Sequence, residues 1–133
     1  MTASYVLFNV SVGGMEDCPS FEGRRINVMS PREVCPVSGC LPYRGAVPRA
    51  GDMGPWDDVV YHRYDLEAVA GQIERDRQEG PVLVHCRQGL ERSPLAVMWW
   101  MHRYHGLDLE AGYQSIRFVR PQIFDRRQWI TDR

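Results

Sequence analysis

Hydrophobic positions change their period several times along the chain, and each change predicts an element. Residues 5–12, YVLFNVSV, and 25–29, RINVM, are short β-branched and aromatic runs bounded by Gly, Pro or Ser, which predicts two strands. Residues 59–64, VVYHRY, predict another. Leu66, Val69, Ala70 and Ile73 then fall at i, i+3, i+4, i+7, the stripe of an amphipathic helix over 66–79 that stops at Gly80–Pro81. PVLVH, 81–85, is apolar without alternation, the pattern of a strand buried on both faces of a parallel sheet. Ser93 as cap and Pro94 at the first helical position open a helix that Gly106 closes. Its sequence, PLAVMWWMHRYH, is apolar on most faces, so it is expected at the centre with Trp99 and Trp100 in the core. A last helix over 109–119 carries Leu109, Tyr113 and Ile116 on one stripe, and DRRQWI adds a terminal turn or helix.

Residues 30–58 break these patterns. Five of the nine prolines and four glycines fall there, which excludes regular helix and central strand. Loops of that length inside a domain are usually functional. The expected fold is therefore α/β: a mainly parallel central sheet of four to five strands flanked by helices, in one domain over residues 1–133. A parallel strand–helix–strand unit presents its functional edge at the carboxyl ends of its strands.

At that edge stands HCRQGLERS, residues 85–93. The backbone amides of Arg87, Gln88, Gly89, Leu90, Glu91 and Arg92 can curl into an anion-binding nest. The following helix aims its N-terminal dipole at the same point, which lowers the pKa of a cysteine held there. Cys86 is thus the candidate nucleophile, and Arg92 can take two phosphate oxygens with its planar fork. Gly89 permits a loop conformation that a Cβ would oppose, and Ser93 can donate to the thiolate. These residue types suit phosphoryl transfer to sulfur.

Charge narrows the partners. The net charge is −1, so no global basic field argues for nucleic acid or an anionic membrane. All sixteen basic residues are arginines, which meet anions only as permanently charged guanidinium forks. The N-terminal stretch lacks a basic region and a long apolar run, and four cysteines without a secretory signal suggest free thiols in the cytoplasm. Cys18, Cys35 and Cys40 lack paired short spacings, so buried and loop thiols are expected rather than zinc, with no metal and no cofactor.

VLVHCRQGLERS resembles the signature of the cysteine-dependent protein tyrosine phosphatase superfamily: His-Cys, five residues, Arg, then Ser or Thr. LEAGYQSIRFVRPQI resembles its dual-specificity branch, through Ala111 in a helix followed by Arg120, Pro121 and Ile123. The similarity spans about residues 59–125. It implies a protein tyrosine phosphatase-like fold and a two-step mechanism without metal. Cys86 would attack phosphorus, Arg92 and the amides of residues 87–93 would bind the oxygens, an upstream aspartate would protonate the leaving oxygen, and water would hydrolyse the phosphocysteine. His85 would support the cysteine. The implied substrate is a phosphorylated protein or peptide, met by a monomer.

Three aspartates compete for the acid role: Asp57, Asp58 and Asp65. The resemblance favours the spacing of Asp57 and Asp58. If 59–64 is a strand parallel to 81–85, however, those two sit at its amino end, roughly 20 Å from the thiolate at about 3.3 Å per residue. Asp65 would lie at the correct end and is preferred, although it also suits a helix N-cap. Glu91 departs from the small residue usual before the arginine, and weakens phosphoinositide and RNA 5′-triphosphate readings. Two other functions remain open: a phosphopeptide-binding module without turnover, and a rhodanese-like or arsenate-reducing cysteine-loop enzyme.

Overall fold

Burial on both faces sets the centre of the sheet. In the computed structural model, which describes residues 2–30, 33–43 and 61–131, β1 (Ser4–Leu7), β2 (Val10–Gly14), β3 (Arg24–Asn27) and a strand over Val82–Cys86 form one sheet. Tyr61–His62 is β4, Val82–Cys86 is β5 and Ile130–Thr131 is β6. The sheet order is β1-β2-β5-β3, while β4 pairs only with β6. β5 runs parallel to both neighbours, and all five of its residues are buried. Burying each of Val82, Leu83 and Val84 contributes roughly 1.5–3 kcal/mol relative to leaving it exposed.

Two expected strands are corrected. Residues 5–12 form a hairpin rather than one strand: Phe8 and Asn9 take φ of 48° and 72°, and β1 and β2 pair antiparallel across them. Paired left-handed residues suit a two-residue hairpin, and Asn tolerates that conformation. The described part of the run 59–64 does not join the central sheet. Among its described residues Tyr61–His62 is strand, and its partner is β6. The parallel neighbours of β5 are instead β2 and β3.

The helices follow their stripes. α1 (Arg63–Arg77) buries Leu66, Val69, Ala70 and Ile73. α2 (Arg92–His105) buries every residue from Arg92 to Met101, so both tryptophans are core. It ends where Gly106 takes φ 71°, the left-handed cap that glycine adopts without strain. α3 (Leu109–Val119) begins where Asp108 accepts from the amide of Ala111 at 2.7 Å, and buries Tyr113 and Ile116. The expected terminal turn or helix is a short 3-10 turn over Arg127–Trp129. Among the described residues, no helix is long and apolar enough to cross a membrane.

Candidate active site

β5 delivers Cys86 to the carboxyl edge of the sheet, in register with Gly14 of β2. The loop beyond it is shaped by where its carbonyls go. Arg87 O accepts from the amide of Met15 at 3.0 Å, Leu90 O from Phe124 at 2.9 Å and Glu91 O from Leu95 at 3.2 Å. Gln88 O and Gly89 O accept from the Arg120 guanidinium at 3.2 and 2.7 Å. In a trans peptide the N–H points away from the preceding carbonyl. Five carbonyls held from outside therefore turn the amides of residues 88–92 inward, over the cysteine. The Gly89 amide lies 3.2 Å from Cys86 Sγ. Gly89 has φ 75°, and a Cβ there would meet Gly13 C at 2.5 Å, so both its conformation and its space demand glycine.

The thiol is held for ionisation. Burial alone would push the Cys86 thiol up, but the charge of Arg92 and hydrogen bonds from Ser93 and Gly89 outweigh it and hold it below the ordinary cysteine value. Ser93 Oγ lies 3.3 Å from Sγ and 3.2 Å from Gly13 O, so its single proton can go to either, and goes to the sulfur when the thiol ionises. Ser93 is thus not the helix cap expected for it. Glu91 occupies that position without a side-chain cap bond, and Ser93, inside the first turn, turns its hydroxyl onto the thiol.

Beside Cys86 opens a cavity of about 230 Å³, lined by Glu33, Cys86, Arg87, Gln88, Leu90, Glu91 and Arg92. Arg92 is buried, and its Nη1 and Nη2 donate to the two Glu33 carboxylate oxygens at 2.5 and 3.0 Å. Burial would raise the Glu33 carboxyl, but its bonds to Arg92 and Ser30 lower it below the usual glutamate value. Glu91 lines the same cavity with its carboxylate on Arg126 Nε at 3.1 Å.

The structure brings Cys86, Arg87, Gln88, Gly89, Leu90, Glu91, Arg92 and Ser93 together. It does not bring Asp65 with them. Asp65 is the third residue of α1, is buried, and does not line the cavity; with α1 starting at Arg63, it is not a cap either. The strand residues described in that run, Tyr61–His62, pair with β6 and not with β5. Asp57 and Asp58 lie outside the described residues. Sequence reasoning missed two side chains. Glu33 sits in the Pro-rich stretch with no motif around it. Arg120 was singled out only as part of a resemblance, although a buried arginine among apolar positions could have flagged a bracing role.

On the face of β5 opposite Cys86, His85 meets the three other cysteines. The ligand-capable atoms of Cys18, Cys35, Cys40 and His85 all lie within 4.8 Å of one another, with Cys40 Sγ 3.2 Å from His85 Nε2. Cys18 and His85 are fully buried, and Cys35 and Cys40 partly so. Burial and the Cys35 and Cys40 thiols push the Cys18 thiol far up, and burial with Cys35 pushes Cys40 up to about 11 against hydrogen bonds from Cys18 and Asn27. Expectation from spacing had scattered these thiols; the fold gathers them.

A mostly parallel sheet thus presents a cysteine of lowered pKa at its carboxyl edge, with a buried arginine at the first turn of the next helix, an α/β scaffold built to meet an anion. Residues 52–131 match the family described as "Dual specificity phosphatase, catalytic domain", and the chain belongs to that family. Dual specificity protein phosphatase MPK-4 of Drosophila melanogaster is 36% identical over 72 residues, 50% of this chain and 18% of that protein. Dual specificity protein phosphatase 1 of Arabidopsis thaliana is 35% identical over 65 residues, 49% of this chain and 33% of that protein. The match thus spans a third or less of these relatives' length. The crystal structure of human DUSP28 superposes with a TM-score of 0.67 at 17% identity, covering 96% of this chain and 86% of that one, and shares the fold.

Proposed function

We propose that this domain hydrolyses phosphomonoesters of proteins or peptides, phosphotyrosine first and phosphoserine or phosphothreonine as well, through a phosphocysteine. One observation carries the reading: Cys86 Sγ sits 3.2 Å from the Gly89 amide and 3.3 Å from Ser93 Oγ, in a loop whose amides face it. A sulfur so placed, with its pKa held below the ordinary cysteine value, is aimed at an anion. In the first step its lone pair attacks phosphorus, the bond to the leaving oxygen breaks, and an aspartic acid protonates that oxygen. Water then attacks phosphorus, the aspartate takes its proton, and the S–P bond breaks to restore the thiolate. The loop amides and Arg92 balance the charge gathering on the equatorial oxygens.

With β4 paired to β6 rather than to β5, the distance argument against Asp58 and Asp57 loses its premise. We assign the general acid to Asp58 or its neighbour, with Asp65 as the alternative. Among the described residues the cavity is lined by Leu90, Gln88, two arginines and two glutamates with no aromatic side chain, which favours alkyl as well as aryl phosphates.

The test is turnover of p-nitrophenyl phosphate. Cys86→Ser should abolish it while orthovanadate or phosphate still binds, and near-full activity in that variant would defeat the mechanism. Arg92→Lys should lose most of the rate with charge kept, because an ammonium cannot replace the fork. A second reading, a phosphopeptide-binding module without turnover, has the Glu33 hold on Arg92 in its favour. Absence of turnover in the wild-type protein with retained phosphopeptide binding would establish it instead.

A further inference from the structure

We propose that Cys18, Cys35, Cys40 and His85 form a structural Zn²⁺ site on the far side of β5 from the catalytic cysteine. The ligand types are those of a closed Cys₃His centre, in which four protein ligands fill a tetrahedron. Zinc–sulfur bonds of about 2.3 Å at tetrahedral angles put sulfurs about 3.8 Å apart, and a sulfur–nitrogen edge about 3.5 Å. All four atoms here fall within 4.8 Å of one another, and the Cys40–His85 edge is 3.2 Å. Small side-chain rotations close that arrangement on one ion. Soft thiolates with one imidazole select zinc over magnesium or calcium, which require oxygen.

The histidine is oriented for the role. Its Nδ1 lies 3.3 Å from Cys86 O, so the proton sits on Nδ1 and the Nε2 lone pair faces the sulfurs. Such a bond to a carbonyl is the usual device that fixes a ligating imidazole. The backbone around the ligands is held too. Asn27 Nδ2 donates to Cys40 O at 3.1 Å, and Arg25 Nε donates to Cys18 O at 2.8 Å. Binding releases one proton from each of the three thiols to solvent. The centre then carries a net charge of −1, which the Arg25 guanidinium beside it offsets.

Topology explains how residues so far apart in sequence meet. β2 and β3 flank β5, so the turns after them converge on the residue before Cys86. Cys18 follows the 3-10 turn Met15–Asp17, and Cys35 and Cys40 lie in the stretch after β3. One ion would join these three segments. It would anchor the stretch that carries Glu33, two residues before Cys35, to the strand that carries the nucleophile.

The test begins with the wild-type protein, expressed with zinc, desalted, and assayed for metal by plasma mass spectrometry and X-ray absorption. The expected result is about one zinc per chain with three sulfur neighbours near 2.3 Å and one nitrogen near 2.0 Å. Cys86→Ser should keep the metal, whereas Cys35→Ser and Cys40→Ser should lose it. Zinc-free protein after reconstitution, a coordination sphere with a single sulfur, zinc lost with Cys86→Ser, or a disulfide among Cys18, Cys35 and Cys40 in place of metal would each overturn the proposal. The absorption measurement needs no variant, so a misfolded substitution cannot shield the idea.

Discussion

Arg120 Nε donates to Gly89 O at 2.7 Å, joining residues 31 positions apart. The same guanidinium reaches Gln88 O at 3.2 Å, Thr2 O at 2.8 Å and Ser4 Oγ at 3.0 Å, and the residue is 1% exposed. Burial lowers its pKa. Its bonding is nonetheless to oxygens that must be held for the loop to keep its amides inward. Arg120 is a positioning residue: it shapes the anion site from behind.

Arg120→Lys should therefore lower kcat/KM on p-nitrophenyl phosphate by about 100-fold, the effect of misplacing a site by an ångström. An ammonium cannot reach both loop carbonyls and the N-terminal strand together. Phosphate affinity should weaken in parallel, since the same amides bind it. Circular dichroism checks that the fold survives, and a folded variant with the wild-type rate would contradict the bracing role.

Ser93→Ala removes one of the contacts that hold the Cys86 thiol below its ordinary value. The thiolate is the reactive form, so the rising limb of kcat/KM against pH tracks this pKa. That limb should move to higher pH in the variant. A hydrogen bond to a charged group is worth about 1.5–3 kcal/mol, so the rate below the shifted limb should fall about 10- to 100-fold. Stopped-flow should show a burst if loss of the hydroxyl also slows departure of the thiolate from phosphocysteine. A superimposable pH profile would remove Ser93 from the chemistry.

The aspartates are separated by leaving group. General acid catalysis contributes about 10²–10⁴-fold. Asp58→Asn should depress turnover of phosphopeptides strongly and of activated aryl phosphates less, and should erase the basic limb of the pH profile. Asp57→Asn is the partner measurement at the adjacent carboxylate. Asp65→Asn should leave the limb in place; if it alone erases the limb, the acid is Asp65 after all.

Glu74 ties α1 to α2. Its carboxylate accepts from Arg77 at 2.6 Å, Trp100 Nε1 at 2.9 Å and His105 at 3.2 Å. The Arg77 bond, with those from Trp100 and His105, lowers its pKa to about 2 against partial burial. A folded-state pKa below the unfolded value stabilises the protein above about pH 4.5, and that stabilisation is lost as pH falls toward 2. Allowing for solvent screening, Glu74→Gln should cost about 1 kcal/mol at pH 7 and little near pH 2. Urea melts at the two pH values measure it, and an equal cost at both would mean the charge is not what matters.

The elements that sequence located well are those whose own pattern decides their burial. α3 falls on 109–119 because its stripe and boundaries are local, and β5 because an unbroken apolar run can only sit between two neighbours. The misreadings depended on distant partners. Val59–Tyr61 reads as strand by composition, yet the partner of Tyr61 is Ile130, at the other end of the chain. Phe8–Asn9 hides its turn because phenylalanine gives no turn signal. In the site, HCRQGLERS was legible because strand, nest and helix are contiguous. Glu33 and the thiol cluster were not, because only the β2-β5-β3 order brings them together.

Thr2 O and Ser4 Oγ share the guanidinium that braces the loop after Cys86. Whatever is joined ahead of Thr2 is thereby coupled through Arg120 to the loop after Cys86. An affinity tag or fusion partner at that end becomes a lever on Gly89, so the choice of tag belongs among the kinetic variables. Rates from tagged and cleaved protein are the comparison to make before any variant is interpreted.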